Sequence, residues 1–100
     1  MVIRLLDAAR EDLRRGWLFY ERQGAGLGDR FLDVIAADVQ ALQLTAGIHL
    51  KVDGFHRLLS RRFPYAVYYL VEPETIDVYA ILDCRRDPLW IQERLGGTGT

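Results

Sequence analysis

Two pairs of adjacent arginines, Arg61–Arg62 and Arg85–Arg86, bracket a long apolar segment, "RRFPYAVYYLVEPETIDVYAILDCRR". A guanidinium is permanently charged and carries a planar fork of donors, so a group of them beside an apolar surface suits bidentate capture of a partner's carboxylates. Arg57 lies just upstream, and Tyr68, Tyr79 and Trp90 bring aromatic rings into the same region. Nearby acids (Asp83, Asp87 and Glu93) offer a plainer account, in which the arginines are a solvated, salt-bridged sheet end.

A second constellation is Cys84, set between Asp83 and Arg85, with His56 in reach across a sheet. That is the composition of a cysteine nucleophile, but the strand register below puts Cys84 on the apolar face, where a free cysteine acts as a small inert hydrophobe. His49 and His56 complete no metal-ligand cluster with another Cys or His, and "GAGLG" lacks the strand-to-helix setting of a phosphate loop. Neither a metal nor a cofactor is expected.

The chain that must position these groups has 100 residues, half of them hydrophobic, which suits one domain with one core, expected over residues 1–95 with a flexible tail at 96–100. With 13 basic and 14 acidic side chains the net charge is -1. Proteins that grip a phosphate backbone usually carry a basic excess, so any nucleic acid must be contacted locally. A single cysteine, a densely charged N-terminus and no apolar run of membrane length make the cytoplasm the expected compartment.

"VIRLL" is a short strand candidate. Asp7 suits the N-cap of a first amphipathic helix, in which Ala9, Leu13, Trp17 and Tyr20 recur at helical spacing until the glycines of "QGAGLG". A second helix is expected from about Asp29 to no further than Gly47, with Phe31, Leu32, Ile35, Val39 and Leu42 on one face. "HLKVDG" reads as a loop turned by Asp53–Gly54. Then the period becomes that of strands, in "FHRLLS", "YAVYYLV" and "TIDVYAIL", before Asp87 and Pro88 open a short last helix that Leu89, Trp90 and Leu95 would anchor.

Centring the last hairpin on Pro73–Glu74 fixes a register. It sets Tyr65, Val67, Tyr69 and Val71 against Leu82, Ala80, Val78 and Ile76 on one apolar face, expected to meet the helices. Ala66, Tyr68 and Leu70 oppose Ile81, Tyr79 and Asp77 on a wetter face left open for a partner or substrate. Continued outward, it pairs Arg62 with Arg85 and Arg61 with Arg86, a basic corner at one end of the sheet. Pro64 removes a ladder donor at the strand start. The fold class is α+β, with the order β-α-α-β-β-β and a short C-terminal helix, the helical hairpin lying on one face of an antiparallel sheet.

That order, with "RRFPYAVYYLV" and "ILDCRRDP" as landmarks, resembles the RelE/ParE superfamily of toxins from type II toxin–antitoxin pairs, from about Val2 to Leu95. The resemblance implies one of two activities. RelE-like members resemble ribosome-dependent mRNA endonucleases, with ribosome and mRNA as partners, whereas ParE-like members, the plasmid stabilisation type, look like DNA gyrase poisons without nuclease activity.

The nuclease branch holds the scissile phosphate with lysines and arginines on these strands. Aligning its tyrosine-arginine-aliphatic-aliphatic-tyrosine strand with "YAVYY" puts Ala66 at the arginine position; the two basic positions of the preceding strand fall near Arg57 and Leu59. Arg85 or Arg86 matches the later arginine, and Trp90 lies near the late tyrosine. The set is incomplete, with Arg57, Arg61 and Arg85, and Tyr68 or Tyr79, as the residues a nuclease would have to use. The resemblance therefore favours the ParE-like branch. It implies a growth-inhibiting toxin that binds gyrase and is neutralised by a cognate antitoxin, as a homodimer or toxin–antitoxin heterotetramer. Arg57, Arg61, Arg62, Tyr68, Tyr79, Arg85, Arg86 and Trp90 would be its partner-binding residues.

Overall fold

The computed structural model describes residues 1–96. In chain order the elements are β1 (Val2–Leu5), α1 (Asp7–Glu21), α2 (Leu27–Gln40), α3 (Leu42–Thr45), β2 (Lys51–Val52), β3 (Phe55–Leu59), β4 (Tyr65–Val71), β5 (Thr75–Asp83) and α4 (Pro88–Arg94). The sheet order is β1-β5-β4-β3-β2, so the first strand lies beside the last and runs parallel to it, with Ile3 paired to Ile76 and Leu5 to Val78. The fold class is α+β as expected, except that this parallel edge makes the sheet mixed. Of the expected tail only Gly96 is described; 97–100 lie outside the described residues.

Local chemistry sets the element ends. Asp7 is the first residue of α1 rather than its N-cap, a place taken by Leu6 with no side-chain bond, so its carboxylate acts on the positive end of the helix. α2 starts at Leu27, two residues before Asp29, because Glu21 at the end of α1 accepts hydrogen bonds from the backbone N–H of Gly26 (3.1 Å) and Gly28 (2.9 Å). The helices also approach closely there: a Cβ on Gly28 would sit 2.7 Å from the Trp17 carbonyl oxygen.

Asp53 and Gly54 both have positive φ, 52° and 88°, the backbone that a two-residue hairpin turn requires. The expected loop thus yields a short strand, Lys51–Val52, paired to Phe55 and His56. At the last helix, the Asp87 carboxylate accepts from the Leu89 N–H at 2.8 Å, with Pro88 in the first turn. Of the residues expected to anchor this helix, Leu95 is buried, whereas Leu89 stays 65% exposed.

The β4–β5 register is as expected near the turn, where Val71 faces Ile76 and Tyr69 faces Val78, but a bulge then inserts Tyr79 opposite no residue. Beyond it each partner is displaced by one, so that Tyr68 faces Ala80, Ala66 faces Leu82 and Tyr65 faces Asp83. Ile81 therefore joins the helix-facing core, while Ala80 and Leu82 move to the other face, the reverse of the unbulged register.

The helix-facing core consists of Ala9, Phe31, Ile35, Val39 and Leu42 against Tyr65, Val67, Tyr69, Ile76, Val78 and Ile81. The opposite face is not open, as the sequence had suggested, but partly covered by α4, whose Trp90 and Ile91 with Leu95 pack on Ala66, Tyr68, Ala80 and Leu82. On that face the buried Asp77 is held by Arg4 through two hydrogen bonds, of 3.0 and 2.7 Å.

Candidate partner-binding site

The four-arginine corner does not form as drawn. The ladder closes at Tyr65–Asp83 and residues 61–64 form a bend, so Arg61 and Arg62 are exposed on a loop without a strand partner. Pro64 stands outside β4, so no ladder bond is lost; its carbonyl accepts from the Cys84 N–H at 2.8 Å. The remaining predicted residues separate into three places.

Arg57 faces Tyr68 across the β3–β4 ladder on the α4-covered side. Burial pushes the Tyr68 phenol up, and the Arg57 guanidinium partly offsets that. Cys84 lies near both: its thiol is pushed up by desolvation first, against the pull of Arg57. The bulge is what moves Cys84 here from the helix-facing side, and its raised pKa does not suit a thiolate nucleophile. Tyr79, the bulged residue, packs its ring on Phe55, centroids 4.9 Å apart.

Arg85 is tied to Asp83 of its own strand end by two hydrogen bonds, of 3.0 and 2.8 Å. That bond holds the Asp83 carboxyl below its ordinary value and raises the guanidinium. Arg85 also lies toward Tyr20 and Tyr65 on the helix side, where burial drives the Tyr65 phenol to about 12. It is therefore not beside Arg57.

Arg86 lies over the Trp90 ring, 3.8 Å from its centroid, a cation–π contact. These two residues flank a cleft of about 210 Å³ between α1, the end of β5 and α4, lined also by Arg15, Gly16, Phe19 and Tyr65. Its back wall is Asp12, a buried carboxylate in α1 that accepts from the Ile81 N–H at 3.0 Å and from Arg94 at 2.6 Å. β1 ends at Leu5, level with Val78, so Asp12 supplies the acceptor that a longer β1 would have given Ile81. Burial nevertheless raises the Asp12 carboxyl, the desolvation outweighing its two donors.

Arg15, Phe19, Asp12 and Arg94 escaped the sequence reading. Asp12 had a readable signal: it falls on the buried stripe of α1 between Ala9 and Gly16, where a charge needs a partner. Phe19 and Arg15 had none, since an exposed aromatic and an arginine on a helix are ordinary surface residues.

Comparison with known proteins places this architecture. The family described as "ParE toxin of type II toxin-antitoxin system, parDE" matches residues 3–88. Among solved structures, a chain of the "Chromosomal ParDE TA system from P. aeruginosa" is similar in fold, with a TM-score of 0.73 and 22% sequence identity, over 81% of this chain and 92% of that one. No curated protein matches. With nearly the whole described fold inside the family match, the chain belongs to the ParE toxin family of type II toxin–antitoxin systems.

Proposed function

We propose that the chain acts as a ParE-like toxin that arrests growth by binding DNA gyrase, without nuclease activity, and that a cognate antitoxin neutralises it in the cytoplasm. The observation that carries this reading concerns the two positions where the resemblance to the nuclease branch calls for cations. Leu59 and Ala66 are direct cross-strand partners, and Ala66 is fully buried beneath α4. Ala66 under the helix cannot admit a scissile phosphate, and Leu59, 52% exposed, brings no charge to stabilise one.

The arginines that remain support the same reading. Arg85 is engaged by Asp83, and Arg57 lies on the opposite side of the sheet end from it. With Arg61 on the exposed bend at 61–64, these are three dispersed guanidinium groups, which suit contacts with a protein surface better than one phosphate.

Four measurements test the proposal. Induction should stop growth with an SOS response, and the purified protein should inhibit supercoiling by gyrase, while primer extension on translated mRNA finds no new 5′ ends. Cuts inside codons that vanish with Arg85→Ala would instead establish the RelE-like endoribonuclease. Co-expression with the adjacent reading frame should yield a complex and relieve the arrest.

A further inference from the structure

The cleft beside Trp90 does not stop at α1. It continues into a second hollow along the same helix, lined by Arg15, Leu18, Phe19, Arg22 and Gln23. From Asp12 to Gln23 this groove spans about 16 Å at the rise of an α-helix, room for about five residues of extended chain. Gly16 lines it, its missing side chain making room for the Phe31 ring, which a Cβ there would approach to 2.6 Å, and Phe19 stands on its rim 47% exposed.

The electrostatics of the lining are one-sided. Its two carboxylates are already engaged, Asp12 by Arg94 and the Ile81 N–H, Asp83 by Arg85. Glu11, at the border, is taken through three hydrogen bonds by Arg14 and reaches Arg15 only at 3.6 Å. Among the described residues, neither Arg22 nor Arg86 has a carboxylate within 4.0 Å. The groove thus offers unmatched cations along an apolar floor. A stacked base is a poor occupant, because Arg86 already covers a face of Trp90.

We propose that this groove takes an acidic segment of the antitoxin. One large apolar side chain seats between Phe19 and Trp90, and flanking carboxylates pair with Arg86, Arg15 and Arg22. The assignment rests on the reading that the chain has such a partner. It moves the contact surface from the Arg57–Tyr68–Tyr79 side of the sheet, which α4 partly covers, to the outer flank of α1.

The test uses the full-length chain and the protein encoded by the adjacent reading frame, titrated against each other at two salt concentrations. Arg22→Glu and Arg86→Glu should each weaken the complex about tenfold and together about 100-fold, Phe19→Ala about tenfold, and raised salt should weaken the wild-type pair. Arg30→Glu, on an exposed position of α2, should bind as wild type, and circular dichroism should show every variant folded. Groove variants that bind normally overturn the proposal, as does an equal loss with Arg30→Glu. So does competition by a single-stranded oligonucleotide, or variants that keep the partner but no longer arrest growth, since the groove would then face nucleic acid or the target. Failure of the wild-type chain to bind the adjacent protein is a different result, which removes the partner reading itself.

Discussion

On one side of the sheet, Phe31 of α2 sits among Tyr20, Phe63 and Tyr65 with ring centroids 4.8 to 5.3 Å away, at the centre of a core that two long helices close. On the other, a seven-residue helix with no fully buried residue of its own lies over Ala66, Tyr68, Ala80 and Leu82, held by Leu95 and by Arg94 on Asp12. The first side has the aromatic area that dominates burial free energy. The second is a thin cover fixed at a few points, so the helical side carries stability while the α4 side can vary without loss of the fold.

The sharpest way to break that contrast is Phe31→Ala. It removes a ring with no exposure from contact with three others and leaves a cavity that helices pinned by Gly28 and Trp17 cannot collapse into. Equilibrium unfolding in urea should show a loss of about 3–5 kcal/mol. A loss comparable to that of a Leu95 substitution would mean that the two faces are equally important.

Asp12→Ala probes the joint between the two sides. It leaves the Ile81 N–H without an acceptor and Arg94, only 24% exposed, without its carboxylate. The cost should be about 2–3 kcal/mol, with protease sensitivity appearing first at α4. Because burial raises the Asp12 carboxyl, its charged form is relatively disfavoured in the fold, and that penalty is relieved as pH falls through the folded value. Asp83 works the other way: held low by Arg85, it contributes stability present above the ordinary value of 3.8 and lost below it.

A paired substitution measures the cover itself. Leu95→Ala should cost about 2 kcal/mol, whereas Leu89→Ala, at a position 65% exposed, should stay within about 0.5 kcal/mol of wild type. Equal effects would mean that α4 packs through a different face.

How far these sides could be read beforehand differs for physical reasons. The helical side was legible because its information is periodic: Phe31, Ile35, Val39 and Leu42 recur at helical spacing, and Tyr65, Val67 and Tyr69 alternate in a strand. The cap formed by Asp87 and Pro88 and the turn at Asp53–Gly54 were legible because few residue types tolerate those backbones. The α4 side depends on one inserted residue. Tyr79 carries no glycine or proline to mark a bulge, yet it exchanges Ile81 for Leu82, moves Cys84 across the sheet and ends the ladder before the arginines meet. The pairing of β1 with β5 and the coverage of Ala66 by α4 are long-range, with no local signature. The candidate site was accordingly half visible: Arg86 and Trp90 were named and Asp12 was readable as a charge on a buried stripe, while Arg15 and Phe19 needed the fold.

The smallest expected effect tests whether the helical side is uniform to its edge. There, the Tyr69 hydroxyl accepts the Gly47 N–H at 3.0 Å and bonds to His49 Nδ1, while His56 Nδ1 lies 2.7 Å from the His49 carbonyl and so must donate to it. With one lone pair occupied by Gly47, the hydroxyl proton is best placed on His49, which requires a neutral ring with Nδ1 as acceptor. Burial, and then His56, holds the His49 pKa below its ordinary 6.5. The resulting stability is fully present above pH 6.5 and is lost as pH falls from there through the folded value, a window well above that of Asp83. Unfolding measured from pH 8 to pH 5 should therefore show a shallow decline that His49→Gln flattens, accompanied by faster amide exchange at Gly47. A decline that persists in His49→Gln would place the titrating group elsewhere, and unchanged exchange at Gly47 would show that the loop is held by its backbone rather than by Tyr69.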